Sequence, residues 1–339
     1  MIDGTNSQSA EYASDQRLCF ALRLLIWPEM KLEEAGMARI KANGIEIEYE
    51  EFGSKDDPLM LLVMGFSSQM INWPESLIRG LTDAGRRVVI FDNRDIGLST
   101  ELEGHVPPSP RDIVKGIAAG EPMHEKVPYL LDDMAADAAA LIEALGADEA
   151  DVMGVSMGGM IVQLMALNHP ERVRTLIPVM TTSGDPSLPP ATPEATAALT
   201  AVPEERTPEA IADLAVKGRA AYGSHPDIRT PDDEIRASAI TAMQRSDRPM
   251  GVARQYAAIL AQPRWHDRLG SLNLPTLVLH GERDNLILPA AGQDIARRVP
   301  NASIEIIEKW GHDLPEAVMP VLLNRIVPFL GQSAPSGPA

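Results

Sequence analysis

The sequence predicts an α/β architecture: a mainly parallel sheet of eight strands flanked by helices and interrupted by an inserted helical segment. Three observations predict it. Short apolar runs alternate with amphipathic stretches of helical period along most of the chain, as strands and their covering helices do. Residues 58–64 (Pro-Leu-Met-Leu-Leu-Val-Met) are apolar without alternation, as in a strand buried on both faces. From residue 181 to about 265 the rhythm stops, prolines accumulate (Pro186, Pro189, Pro190, Pro193, Pro203, Pro208) and no buried-strand run occurs.

Residues 37–41 and 45–52 read as strands joined at Asn43-Gly44, a hairpin turn, and so as an antiparallel edge. After the strand at 58–64, residues 72–84 read as a helix, 87–91 as the next strand and 92–97 as a turn. Residues 101–128 are rich in Pro, Gly and charge and are expected to be loop. Residues 129–145 form a strongly amphipathic helix closed by Gly146. A strand at 150–154, a helix at 157–168 and a strand at 173–180 follow. Within the insertion, 208–222, 231–244 and 251–262 carry helical patterns. The alternation then resumes with a strand at 276–280, a helix at 290–299, a strand at 303–307 and a last helix at 316–330. No repeat of 20–50 residues is present.

This reading divides the chain into an extension (1–36), a core (37–180 and 266–331), a helical cap (181–265) and a disordered tail (332–339). The extension holds a run of about ten apolar residues from Leu18 to Trp27, broken by Arg23 and stopped by Pro28. It is too short to cross a bilayer and reads as a short amphipathic helix. Asp3, Glu11 and Asp15 precede it and no small-residue cleavage site follows, so a secretory signal is not expected and a cytoplasmic location is. Met30 and Met37 leave room for a shorter natural start.

Composition narrows the function classes. The 30 basic and 48 acidic residues leave a formal charge of −18, which repels nucleic-acid backbones and anionic membranes. The single cysteine, Cys19, rules out an internal disulfide and any multi-cysteine metal site. Aromatics are 4% of the chain and Met numbers 16, so aliphatic and thioether groups must fill the interior. No residue pattern suggests a metal or an organic cofactor.

Gly154-Val155-Ser156-Met157-Gly158 matches G-x-S-x-G where a strand ends and a helix opens. Small residues two before and two after the serine let so tight a turn form, and the turn pushes the central side chain outward. The opening helix aims its first amides at that side chain, where an oxyanion can form. The glycine spacing is not that of a dinucleotide-binding turn, and no Gly-Lys-Ser/Thr is present. Ser156 is therefore the candidate nucleophile, and it needs a base and an orienting acid. His312, in the loop after the strand at 303–307, lies on the same sheet edge and is the candidate base. His280 ends an apolar strand and reads as structural, and His169 falls on the opposite edge. Asp284, after the strand at 276–280, is the candidate acid, with Glu282 as runner-up; Asp313 adjoins the base and is poorly placed to reach its Nδ1.

The order Ser156, Asp284, His312, with Leu62-Val63-Met64-Gly65-Phe66, the turn Asp92 to Ser99, Pro275 to Asp284 and Gly311-His312, resembles the α/β-hydrolase superfamily over residues 38–330. Met64-Gly65 with Trp73-Pro74 looks most like the branch of anthracycline methyl esterases and related bacterial carboxylesterases. The resemblance implies the α/β-hydrolase fold and an oxyanion hole made by the backbone N–H groups of Phe66 and Met157. The family usually has His-Gly where this chain has Met64-Gly65; backbone donors are indifferent to that change. Arg94 and Asp95 are expected to tie loops together, without a chemical role.

The expected reaction is cleavage of short to medium, largely apolar carboxylic esters through an acyl-enzyme, with a small-molecule ester as partner. A C–C bond hydrolase, lactonase, amidase or perhydrolase would use the same triad; a serine argues against the dehalogenase and epoxide-hydrolase members, which use an aspartate. A receptor-like binding protein with little turnover is the alternative of another class. Met64 and Met160, with Phe66, Met70 and Met157, are candidates for a pliable substrate wall, against the alternative of core packing. A homo-oligomer is left open.

Overall fold

The computed structural model describes residues 38–332, so the expectations for residues 1–36, for Met37 and for the tail beyond 332 lie outside the described residues. β1 (Ala38–Ala42) and β2 (Ile45–Phe52) form the expected hairpin. Asn43 and Gly44 both take positive φ, 47° and 78°, as a tight turn matching strand twist requires. β3 (Leu59–Val63), β4 (Arg87–Phe91), β5 (Ala150–Val155) and β7 (Thr276–Gly281) are buried along their whole length, and β6 (Val173–Val179) nearly so. β8 (Ala302–Ile307) completes an eight-stranded sheet in the order β1-β2-β4-β3-β5-β6-β7-β8. β1, β2 and β4 pair antiparallel and all later pairs are parallel.

The chain steps outward from β3 to β4 and then returns to place β5 on β3's other side. Such a reversal opens a crevice at the carboxyl ends of the two strands. Alternation along β3 and β4 builds the covering layers. Leu59, Leu61, Val63, Val89 and Phe91 share one core with α3 (Leu131–Ala144) and α4 (Met157–Asn168). Met60, Leu62, Val88 and Ile90 point to the opposite face and are just as buried. α1 (Glu75–Asp83) packs there against α10 (Met319–Gln332), so closely that a Cβ on Gly80 would lie 2.3 Å from Leu323 Cδ1.

Several elements differ from the sequence expectation, for local and for tertiary reasons. The helix expected at 72–84 splits at Trp73-Pro74 into a 3-10 turn (Met70–Asn72) and α1, because Pro74 has no N–H to continue the ladder. Residues 101–128 are not all loop: they contain α2 (Pro110–Ala118) and a 3-10 turn (Met123–Glu125). Ser109 Oγ accepts from Asp112 N–H and Pro110 opens the helix, while Ile113 and Met123 pack against Ala257 and Ala261. That partner surface comes from residues far along the chain, so composition alone missed the helix. The last helix starts at Met319, after a 3-10 turn (Glu316–Val318).

Between β6 and β7 lie α5 (Pro193–Leu199), α6 (Pro208–Tyr222), α7 (Asp232–Arg245) and α8 (Pro249–Ala261). α5 was not expected; Thr192 caps it and Pro193 opens it. α9 (Pro289–Arg298) joins β7 to β8. Among the described residues no helix is long and apolar enough to cross a membrane.

Candidate active site

Ser156 sits between β5 and α4 with φ 55° and ψ −118°, a conformation L side chains rarely adopt. The surroundings hold it there. Its N–H donates to Val179 O at 2.9 Å, and its carbonyl accepts from Thr181 Oγ1 at 2.7 Å and from Gly159 N–H at 2.9 Å. The two flanking glycines are required by close approach rather than by φ. A Cβ on Gly154 would lie 2.2 Å from Gly158 O, and one on Gly158 would lie 2.1 Å from Val63 O.

The loops after β7 and β8 bring the other two residues to this edge. His312 Nε2 is 2.9 Å from Ser156 Oγ, and His312 Nδ1 is 2.7 Å from Asp284 Oδ2. An ionised carboxylate only accepts, so Nδ1 carries the proton and Nε2 is left to accept from the serine hydroxyl. The other oxygen of Asp284 accepts from the N–H groups of Leu286 and Ile287 at 2.9 and 2.8 Å. Burial pushes the Asp284 carboxyl up, but the His312 charge and the hydrogen bonds of His280 and His312 outweigh it and hold the group at about 2. The runner-up, Glu282, is exposed, and its carboxylate accepts from Lys309 N–H instead.

His280 is fully buried, as a structural residue should be, yet it is not remote. Its Nε2 is 2.7 Å from Ile287 O and 3.5 Å from Asp284 Oδ2, so it lines the carboxylate's far side. The Asp313 carboxylate is engaged elsewhere, accepting from the Ser224 hydroxyl at 2.5 Å. His312 N–H donates to Tyr222 O at 2.7 Å, and the Tyr222 ring meets the imidazole edge-on, with centroids 6.1 Å apart. Burial raises the Tyr222 hydroxyl above its ordinary pKa.

Opposite the imidazole, the loop after β3 crosses the turn. A Cβ on Gly65 would lie 3.1 Å from Ser156 Cβ, so the residue that precedes Phe66 is packed against the serine. The N–H groups of Phe66 and Met157 have no acceptor among the described residues. The turn after β4 is held by ion pairs: Arg94 is bidentate to Asp137, Arg254 of α8 is bidentate to Asp95, and Arg245 of α7 reaches Asp92 at 2.7 Å.

A cavity of about 940 Å³ opens onto Ser156 and His312. Met64, Phe66, Met180, Tyr222, Tyr256 and Leu286 give it apolar walls, and Arg206, Arg219 and Glu234 contribute polar ones. Met64 is on the wall, whereas Met160 packs in the core formed by α3, α4 and the sheet. Met70 is fully buried and Met157 shares the core with Met160. Sequence reasoning missed Met180, Tyr222 and Tyr256, because no local pattern tells a cavity-facing residue from a packed one. Among the described residues no group of three or more His, Cys, Asp or Glu could hold a metal ion.

The chain is similar in sequence and fold to several known proteins. A rhodomycin D methylesterase of Streptomyces peucetius is 26% identical over 291 residues, covering 79% of this chain and 89% of its own. A 3-oxoadipate enol-lactonase of Acinetobacter baylyi is 22% identical, covering 79% and 87%. Among solved structures, a thermophilic esterase from Thermogutta terrifontis superposes with a TM-score of 0.62 at 25% identity, covering 87% of this chain and 99% of that one. A family model described as alpha/beta hydrolase fold matches residues 58–316, and the chain belongs to that family.

Proposed function

We propose that this protein is a carboxylic ester hydrolase that works through Ser156, His312 and Asp284. The observation that carries the reading is the unbroken chain of hydrogen bonds from Ser156 Oγ through both imidazole nitrogens to Asp284, at 2.9 and 2.7 Å. The esterase relatives support the reaction class.

The chemistry follows from the geometry. Ser156 Oγ attacks the ester carbonyl while His312 Nε2 takes its proton. The oxyanion forms beside the Phe66 and Met157 amides, and two such donors supply several kcal/mol of transition-state stabilisation. Asp284, held at about 2, is a carboxylate throughout the neutral range and keeps His312 oriented as it becomes charged. The imidazolium then gives its proton to the leaving alcohol. Water, deprotonated by the same imidazole, attacks the acyl-enzyme; the acid leaves and Oγ regains its proton. The helices α5–α8 roof the cavity, and its methionine and aromatic walls suit a short to medium, largely apolar ester.

Lactone opening is the second reading, favoured by the enol-lactonase relative. It is the same acyl transfer with the leaving alcohol tethered to the acid. A panel of p-nitrophenyl esters and lactones distinguishes the two by kcat/KM.

The direct test is Ser156→Ala with p-nitrophenyl butyrate. Turnover should fall by about four orders of magnitude or more with the fold intact, and fluorophosphonate labelling should disappear. Near-wild-type turnover in that variant would end the proposal.

A further inference from the structure

The loop that carries the Phe66 amide is gripped from the inserted helices, by two consecutive residues of α8. Gln255 is fully buried. Its Oε1 accepts from Ser67 N–H at 3.0 Å, and its Nε2 donates to Arg94 O at 3.1 Å. One partner is a donor and the other an acceptor, so the amide has a single orientation that satisfies both. The next residue, Tyr256, sets its ring against Phe66, with centroids 5.6 Å apart and planes tilted by 41°.

The loop needs such a grip. Ser67 has φ 59°, a left-handed conformation that a non-glycine residue holds only under external constraint. Within the loop, support is slight: Ser68 N–H reaches Gly65 O at 3.3 Å, and Ser68 Oγ reaches Phe66 O at 3.4 Å. The peptide N–H of Ser67 is one residue from the amide of Phe66, so rotating one peptide re-aims the other.

The anchor itself is fixed to the core. Arg94 is clamped by Asp137, with both contacts at 2.6 Å. α8 is clamped by the buried pair of Arg254 with Asp95, and a Cβ on Gly251 would lie 2.1 Å from Asp95 O. Gln255 therefore links two backbone segments that are both needed: the rigid turn after β4 and the strained loop after β3.

We propose that Gln255, assisted by Tyr256, is a positioning residue that aims the Phe66 N–H at the reacting carbonyl oxygen. This makes the inserted helices part of the catalytic machinery as well as its roof. The inference rests on the ester-hydrolase reading and deepens it. An amide donor that is misaimed still leaves the substrate's ground-state contacts with the cavity walls in place. The loss then falls on the transition state, where charge accumulates on the carbonyl oxygen.

The test compares wild type, Gln255→Leu, Gln255→Glu and Tyr256→Leu on p-nitrophenyl butyrate, with thermal melts for each. Gln255→Leu should lower kcat by about 10- to 100-fold with KM within about twofold. Gln255→Glu keeps an acceptor for Ser67 N–H and should recover part of that kcat. Tyr256→Leu should lower kcat by several-fold; if Gln255→Leu fails to fold, Gln255→Glu decides the matter, by a kcat below wild type at unchanged KM or by wild-type kcat, which overturns the role. A folded Gln255→Leu with wild-type kcat, or one that changes only KM or the melting temperature, overturns the positioning role. Ser156→Ala separates the two levels. If wild-type turnover does not depend on Ser156, the ester-hydrolase reading falls and this one with it. If it does, but Gln255→Leu leaves kcat unchanged, only the positioning role falls.

Discussion

Gly65 lies against Ser156 closely enough that a Cβ at residue 65 would sit 3.1 Å from the serine's Cβ and 3.7 Å from its Oγ. The loop after β3 and the turn after β5 are thus in contact backbone to backbone. Neighbouring strands at the sheet's reversal make this possible, since β3 and β5 pair directly, with Val63 opposite Gly154.

Gly65→Ala should therefore damage turnover more than folding. The new methyl group also meets Val155 O at 3.1 Å, so the loop must give by a few tenths of an ångström. We expect kcat/KM to drop by about tenfold or more, with a small change in melting temperature. Unchanged kinetics in this variant would mean that the loop has more freedom than its contacts imply.

Asp284→Asn should leave the site assembled and its protons wrong. An amide can still accept from Leu286 and Ile287 N–H, but its NH₂ then faces His312 Nδ1. That favours the tautomer with the proton on Nε2, which cannot take one from Ser156. A fall in kcat of about 10³-fold or more is expected, with KM little changed.

The same carboxyl sets a pH dependence of stability. Its folded value of about 2 lies below the ordinary 3.8, so the unfolded chain binds this proton more readily than the folded one. The stabilisation is fully present above about pH 4 and is lost as pH falls through about 2. Its size is roughly 2 kcal/mol. Urea unfolding of wild type and Asp284→Asn should show a stability gap near neutrality that narrows toward about pH 2; a gap independent of pH would contradict the assignment.

Arg254→Met should destabilise the fold outright. Arg254 and Asp95 are both buried and joined by two contacts of 2.8 Å, and removing the cation strands a carboxylate at a residue with φ 70°. Breaking such a pair costs about 3–5 kcal/mol. A urea midpoint close to wild type would show that the pair contributes little.

Much of this protein was legible before its fold was seen. The hairpin at Asn43-Gly44, the strand at 87–91 and the helix at 157–168 need only neighbouring residues to be read. Ser156 was legible for the same reason, because Gly154 and Gly158 make its turn possible within five positions. His312 and Asp284 were legible through sheet topology, since loops after parallel strands emerge at one edge. The helix at Pro110–Ala118 was not, because its buried face is supplied by Ala257 and Ala261. Whether Met160 faces wall or core was open in the sequence, because a methionine near a site can turn either way on a helix; it packs in the core.

Local sequence was enough for the order of the eight strands, the strained serine turn and the two polar side chains, His312 and Asp284, that meet Ser156. Those features depend on backbone sterics and burial periods that repeat within a few residues. Which distant residues meet is a matter of tertiary packing: Ser67 with Gln255, 188 positions apart, and Tyr222 with His312. Such contacts are set by how helices of the insertion dock on the sheet edge, and that docking is a sum over many distant packing and ionic interactions that no local pattern records.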